Sequence, residues 1–89
     1  MERPDLHVVA QFLDRLAQAA APVGKTDLQM QTRVNYTIFQ RYLAWLAGRG
    51  LVAVEATAQG ERVALTARGR QAHAALQAWM RSVLGGPSG

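Results

Sequence analysis

The sequence predicts a small α+β domain, mostly helical, with elements in the order helix–helix–helix–strand–strand–helix. Three observations predict it. The chain has 89 residues, of which 49% are apolar and 18% charged. That size and composition suit one folded domain and not a disordered chain. Three stretches repeat apolar residues at three- and four-residue steps, the period of a helix with one buried face. Between the last two lie two β-prone runs, LVAVEA and RVAL, around a turn-like TAQG, the pattern of a hairpin.

The first helix spans residues 5–20, DLHVVAQFLDRLAQAA. Leu6, Val9, Leu13, Leu16 and Ala20 form its stripe, and Val8 and Phe12 widen it. Pro4 and Asp5 suit its start, because acids favour a helix N-terminus. Ala-Pro-Val-Gly at residues 21–24 breaks it. A short second helix follows at residues 25–31. There Thr26 and Gln29 have the spacing of a capping box, and Leu28 and Met30 are candidates to face inward.

After a turn at residues 32–34, Asn35 caps a third helix through its side-chain oxygen. Phe39, Tyr42, Leu43 and Leu46 share one face of it. Thr37, Gln40, Arg41, Ala44 and Gly48 fall on the opposite arc, with Ile38 and Trp45 at a margin. Gly48 or Gly50 ends it. Thr66 caps the last helix, ARGRQAHAALQAWMRSVL, whose stripe is Ala72, Leu76, Trp79 and Val83 with Met80 beside it. A single domain over residues 1–84 and a disordered tail over residues 85–89 are expected.

The net charge is +4 and unevenly placed. Residues 1–32 hold Arg3, Arg15 and Lys25 against Glu2, Asp5, Asp14 and Asp27. Residues 33–89 hold seven arginines against Glu55 and Glu61. Arginine suits phosphate forks and base edges, although a small charge excess also serves solubility alone. There is no cysteine, which excludes disulfides and thiolate zinc sites. His7 and His73 are far apart and in no metal-binding spacing, so no metal and no cofactor are expected. No apolar run is long enough to span a membrane, and the first residues do not read as a signal peptide. A cytoplasmic, nucleoid-associated location is expected.

Enzyme constellations are missing too. Ser82 and Ser88 are in no nucleophile elbow. Gly24-Lys25-Thr26 ends like a phosphate loop but lacks the earlier glycine and a preceding strand. A non-enzyme is expected.

A tight turn joins the second and third helices, and a hairpin follows the third directly. That order is a winged helix: a helix-turn-helix followed by a β-wing. Three segments resemble winged helix-turn-helix transcription regulators of the MarR/PadR-like kind, and the likeness is greatest to small archaeal-type winged-helix proteins. KTDLQMQTRVNY resembles their second helix and its turn. The pattern F-x-x-Y-L-x-x-L-x-x-x-G-L-V from Phe39 to Val52 resembles their recognition helix running into the first wing strand. LTARGR at residues 65–70 resembles their entry to the helix after the wing.

The resemblance implies a homodimer, double-stranded DNA as partner, and the third helix (residues 35–48) in the major groove. Carried over by position, Asn35, Tyr36, Thr37, Gln40 and Arg41 occupy the start and exposed face of that helix. Lys25, Thr26 and Arg33 fall where the second helix and turn meet the DNA backbone, and Gln59 and Arg62 lie on the wing. Two departures stand out. The wing tip TAQGE carries no lysine or arginine, and Ala44 and Gly48 leave the later recognition helix without reach.

The residue chemistry agrees. Arginine forks onto guanine and glutamine pairs with adenine, which makes Arg41 and Gln40 the candidate base readers. Thr37 suits a phosphate or a thymine methyl, and Asn35 is more cap than reader. Tyr36 has two readings, DNA contact or core packing. Lys25 and Arg33 would add affinity without sequence information. Leu6, Val9 and Leu13 of the first helix, with Leu76, Trp79, Met80 and Val83 of the last, form wide apolar faces suited to a two-fold dimer seam. The reading is a dimeric DNA-binding transcription regulator. Its alternatives are a protein-docking winged helix and a weakly specific, chromatin-type DNA binder.

Overall fold

The computed structural model describes residues 4–84. Its elements are α1 (Leu6–Gln18), β1 (Val23–Gly24), α2 (Lys25–Thr32), α3 (Tyr36–Gly48), β2 (Val52–Thr57), β3 (Gly60–Leu65) and α4 (Ala67–Leu84). Four helices and a small antiparallel sheet make a mostly helical winged-helix fold. The tail expected at residues 85–89 lies outside the described residues.

Local chemistry accounts for most boundaries. Asp5 caps α1, its Oδ1 accepting the His7 N–H at 2.8 Å. Asn35 caps α3, its Oδ1 accepting the Ile38 N–H at 2.9 Å. Thr66 caps α4, its hydroxyl oxygen accepting the Gly69 N–H at 3.0 Å. At the end of α3, Gly50 takes φ +74°. The Gly50 N–H then donates to the Ala47 carbonyl and the Leu51 N–H to the Leu46 carbonyl, each at 3.0 Å. That double closure is a Schellman stop, for which a glycine at positive φ is favoured.

The core collects one face from each element. Phe12, Leu28, Phe39, Leu46 and Val63 are fully buried. The Phe12 ring stacks on Phe39 and Tyr42, with centroids 5.4 and 5.9 Å away. Those contacts lock α1 against α3. The Asp5 N–H also donates to the Tyr42 hydroxyl at 2.8 Å, so the first turn of α1 is tied to α3.

Several expectations are corrected. Residues 21–24 do more than break a helix, because Val23 and Gly24 pair with Val63 and Arg62 of β3. The sheet therefore has three strands in the order β1-β3-β2. Pairing holds Gly24 extended, and α2 begins at Lys25 with Gly24 as a cap that offers no side chain. Thr26 thus lies inside α2, and the expected capping box does not form. A strand does precede Gly24-Lys25-Thr26, but it is antiparallel and two residues long, and the earlier glycine is still missing.

Met30 is 70% exposed. Two helical steps from Leu28 turn it ~200°, to the opposite side. α1 ends at Gln18, so Ala20 lies outside it and is exposed. Val9 and Leu13, expected in a dimer seam, are buried within the protomer at 5% and 2% exposure. α1 packs on α2, β3 and α4, and these two side chains are consumed there. No described helix is long and apolar enough to cross a membrane.

Candidate nucleic-acid interface

The helix-turn-helix is α2, the turn at residues 33–35, and α3. Arg33 sits in the left-handed region at φ 60°, ψ 26°. This conformation costs a non-glycine residue some energy and lets the chain reverse between the helices. Its N–H donates to the Gln29 carbonyl at 3.1 Å. Thr32 is buried, and its hydroxyl donates to the same carbonyl at 3.0 Å. These bonds hold the turn from inside and leave the Arg33 side chain exposed.

α3 separates its faces as the periodicity predicts. Phe39, Tyr42, Leu43 and Leu46 are buried, while Thr37, Arg41, Ala44 and Gly48 are exposed. Gln40 is half-buried at the edge of the exposed arc, and Ile38 and Trp45 pack partly against the core. Asn35 is committed to its cap. The Tyr36 ring stays out of the core at 56% exposure and lies 5.9 Å from the Lys25 ammonium.

A second group of expected residues meets beside the wing. Lys25, Thr26, Tyr36, Gln59 and Arg62 line one polar cleft of about 390 Å³. Glu61, which no spacing in the sequence singles out, lies there too, its Oε1 3.0 Å from the Lys25 Nζ. The hydrogen bond to Glu61 raises the Lys25 pKa above its ordinary 10.5, against a small opposing effect of burial. The lysine read as a free phosphate contact therefore already has an anionic partner. The wing is not basic, because Glu55 stands opposite Arg62 in the β2–β3 ladder and Glu61 opposite Ala56. Its turn is Ala58-Gln59, closed by the Thr57 hydroxyl donating to the Gly60 carbonyl at 2.6 Å.

Sequence reasoning also passed over an arginine at the far end of α3. The Arg49 guanidinium lies 4.6 Å over the Trp45 ring. The i, i+4 spacing was a legible signal for it. Among the described residues, no group of His, Asp or Glu side chains is arranged to hold a metal ion.

A sequence profile described as winged helix-turn-helix matches residues 2–82. This chain belongs to the winged helix-turn-helix family. No curated protein matches it at the sequence level. Solved structures share the winged-helix fold at low identity. Sso10a-2, a DNA-binding protein from Sulfolobus solfataricus, is 18% identical with a TM-score of 0.73, over 89% of this chain and 80% of that one. A possible HxlR family transcriptional factor from Thermoplasma volcanium GSS1 is 20% identical with a TM-score of 0.72, over 91% and 79%. Transcriptional regulator PA3341 is 24% identical with a TM-score of 0.70, over 90% of this winged helix but only 63% of its own chain.

Proposed function

We propose that this winged helix binds double-stranded DNA as a homodimer and regulates transcription, with α3 in the major groove. One observation carries the reading. An Asn-capped helix presents Thr37 and Arg41, with Gln40 at the edge, on the arc opposite its buried face. These side chains suit base edges and their surroundings, and the helix follows a tight turn. The similar structures include a DNA-binding protein and a possible transcriptional factor, which supports the same reading. Arg33, exposed on the turn, supplies a backbone phosphate contact, while Lys25 and Thr26, at the opposite end of α2 beside the wing, contribute less because Lys25 is paired with Glu61. Arg62 and Gln59 of the wing contribute less, because two carboxylates share the wing with one arginine.

Leu6, Trp79 and Val83 are 63%, 59% and 54% exposed on α1 and α4, with Leu76 and Met80 half-buried between them. A two-fold partner covering this apolar face would place two recognition helices ~34 Å apart, one DNA turn. The protein would then act in the cytoplasm on the nucleoid. The acid-bearing wing favours one rival reading, a winged helix that docks a protein partner.

The experiment is fluorescence anisotropy with a labelled mixed-sequence duplex across a salt series. Binding should weaken by ~0.9 log unit per phosphate contact per decade of salt. On a selected site, Arg41→Ala should lose ~1–3 kcal/mol and relax preference at one base pair. Absence of binding even at low salt would dismiss the DNA reading and leave the protein-docking one.

A further inference from the structure

The C-terminal half of α3 carries a feature that base reading does not use. Ala44 and Gly48 continue the arc of Thr37 and Arg41, so the exposed stripe spans the 12 residues from Thr37 to Gly48, ~16 Å at a rise of 1.5 Å per residue. Their small size leaves a flat floor, with no atom within 4 Å of where a Gly48 side chain would begin. Trp45 and Arg49 border this floor on one side, and Arg68, from the first turn of α4, borders it on another. Together the five residues line an open cleft of about 510 Å³.

Two arginines from different elements converge there, and the lining holds no carboxylate. Neither arginine forms an ion pair among the described residues. Stacking on Trp45 restrains the Arg49 plane, while its N–H edge remains free to fork onto an anion. A phosphodiester suits this arrangement: an anion on a thin strand, able to lie across an Ala-Gly floor and accept from both guanidiniums.

We infer that this cleft seats the sugar–phosphate backbone of a DNA strand flanking the major groove, with Arg49 and Arg68 on its phosphates. The inference rests on the DNA-binding reading and deepens it. The stripe at ~16 Å is longer than the ~12 Å major groove is wide. A helix whose first turns enter the groove therefore brings its last turn to the groove's edge. The wing side strengthens the argument, because Lys25 is held by Glu61 there and backbone neutralisation shifts to this end of α3.

The test reads DNA binding in the parent protein and Trp45 emission in Trp79→Phe protein, where Trp45 is the sole tryptophan. Because Trp79 belongs to the proposed seam, equilibrium sedimentation first checks that this variant keeps the parent's oligomeric state. A mixed-sequence duplex is titrated while Trp45 emission and labelled-DNA anisotropy are followed over a salt series. The expected result is a change in Trp45 emission that tracks binding. Arg49→Gln/Arg68→Gln should make the salt slope shallower by ~1.8 per protomer and weaken binding about tenfold to sixtyfold at moderate salt. Arg68→Gln alone should give half of the slope change, and it leaves the Arg49–Trp45 stack and every helix cap in place. Thermal melts confirm that each variant is folded.

Steep salt-dependent binding with silent Trp45 emission and an unchanged slope in both variants would overturn this inference and leave the DNA reading standing. No duplex binding at all, with polyglutamate instead shifting Trp45 emission in an arginine-dependent way, would overturn both and assign the cleft to an acidic protein segment.

Discussion

Gly69 offers a sharp test of the packing, because helix propensity and tertiary structure predict opposite signs for Gly69→Ala. Gly69 lies in the first turn of α4, and its N–H is held by Thr66. A β-carbon there would lie 2.0 Å from the Leu51 carbonyl oxygen and 3.0 Å from Leu65 Cδ2. Carbon atoms do not tolerate less than 3.0 Å, so α4 and the start of the wing must separate by at least 1 Å. The obstacle is backbone, and the same Leu51 carbonyl accepts the Thr66 N–H at 3.1 Å, so it cannot swing aside freely.

Propensity alone would make Gly→Ala favourable by ~1 kcal/mol. Overpacking against rigid surroundings costs about 1–3 kcal/mol or more. We expect Gly69→Ala to lose about 2 kcal/mol net, which lowers the melting temperature by roughly 8–16 °C in a domain of this size. Gly48→Ala is the control, since nothing approaches that position and its φ is ordinary. It should gain a few tenths to 1 kcal/mol and melt a few degrees higher. Thermal and urea melts followed by circular dichroism measure both. If Gly69→Ala melts at or above the parent protein, the close approach of α4 to Leu51 is wrong.

Other expectations follow from single contacts. Asn35→Ala removes the α3 cap and should cost ~1 kcal/mol, whereas Asn35→Asp should restore it; equal losses in both variants would contradict the cap. The Lys25–Glu61 pair is partly exposed, so it contributes ~1 kcal/mol at most. Because the folded-state lysine pKa is raised, that stability is present at neutral pH and up to the ordinary value of 10.5. It disappears as pH rises through the raised value. The melting difference between the parent and Glu61→Gln should therefore shrink in strong base, and a constant difference would refute the pairing. Trp79→Glu should abolish dimers in equilibrium sedimentation at tens of micromolar without lowering the melting temperature of the protomer; monomer in the parent protein under the same conditions would remove the proposed seam.

Much of the interface was legible because its determinants are local. The Asn35 cap, the buried Phe39–Leu46 face and the opposing arc of Thr37 and Arg41 each depend on residues within a few positions of one another. The wing-side cleft was only partly legible. Its positive residues could be placed by resemblance, but Glu61 lies 36 residues from Lys25, and no spacing links them. Trp45 and Arg49 were within reach of an i, i+4 reading, whereas Arg68 joins them only through the packing of α4 behind the wing.

The sequence by itself determined where the four helices and the hairpin lie, which face of α1 and α3 is apolar, and where the Asn35 and Thr66 caps fall. It narrowed the α3 stop to Gly48 or Gly50, of which the structure uses Gly50. Period, cap chemistry and a positive-φ glycine are properties of a few consecutive residues. Tertiary structure alone decided what covers each apolar face. It placed Val9 and Leu13 in the protomer's core and left Trp79 and Val83 outside. It made a strand of Val23 and Gly24, two residues with no pattern of their own, by offering them the edge of β3. Hydrophobic burial is non-directional, so a periodic stripe states that a face must be covered. Only the long-range packing of the chain selects the partner that covers it.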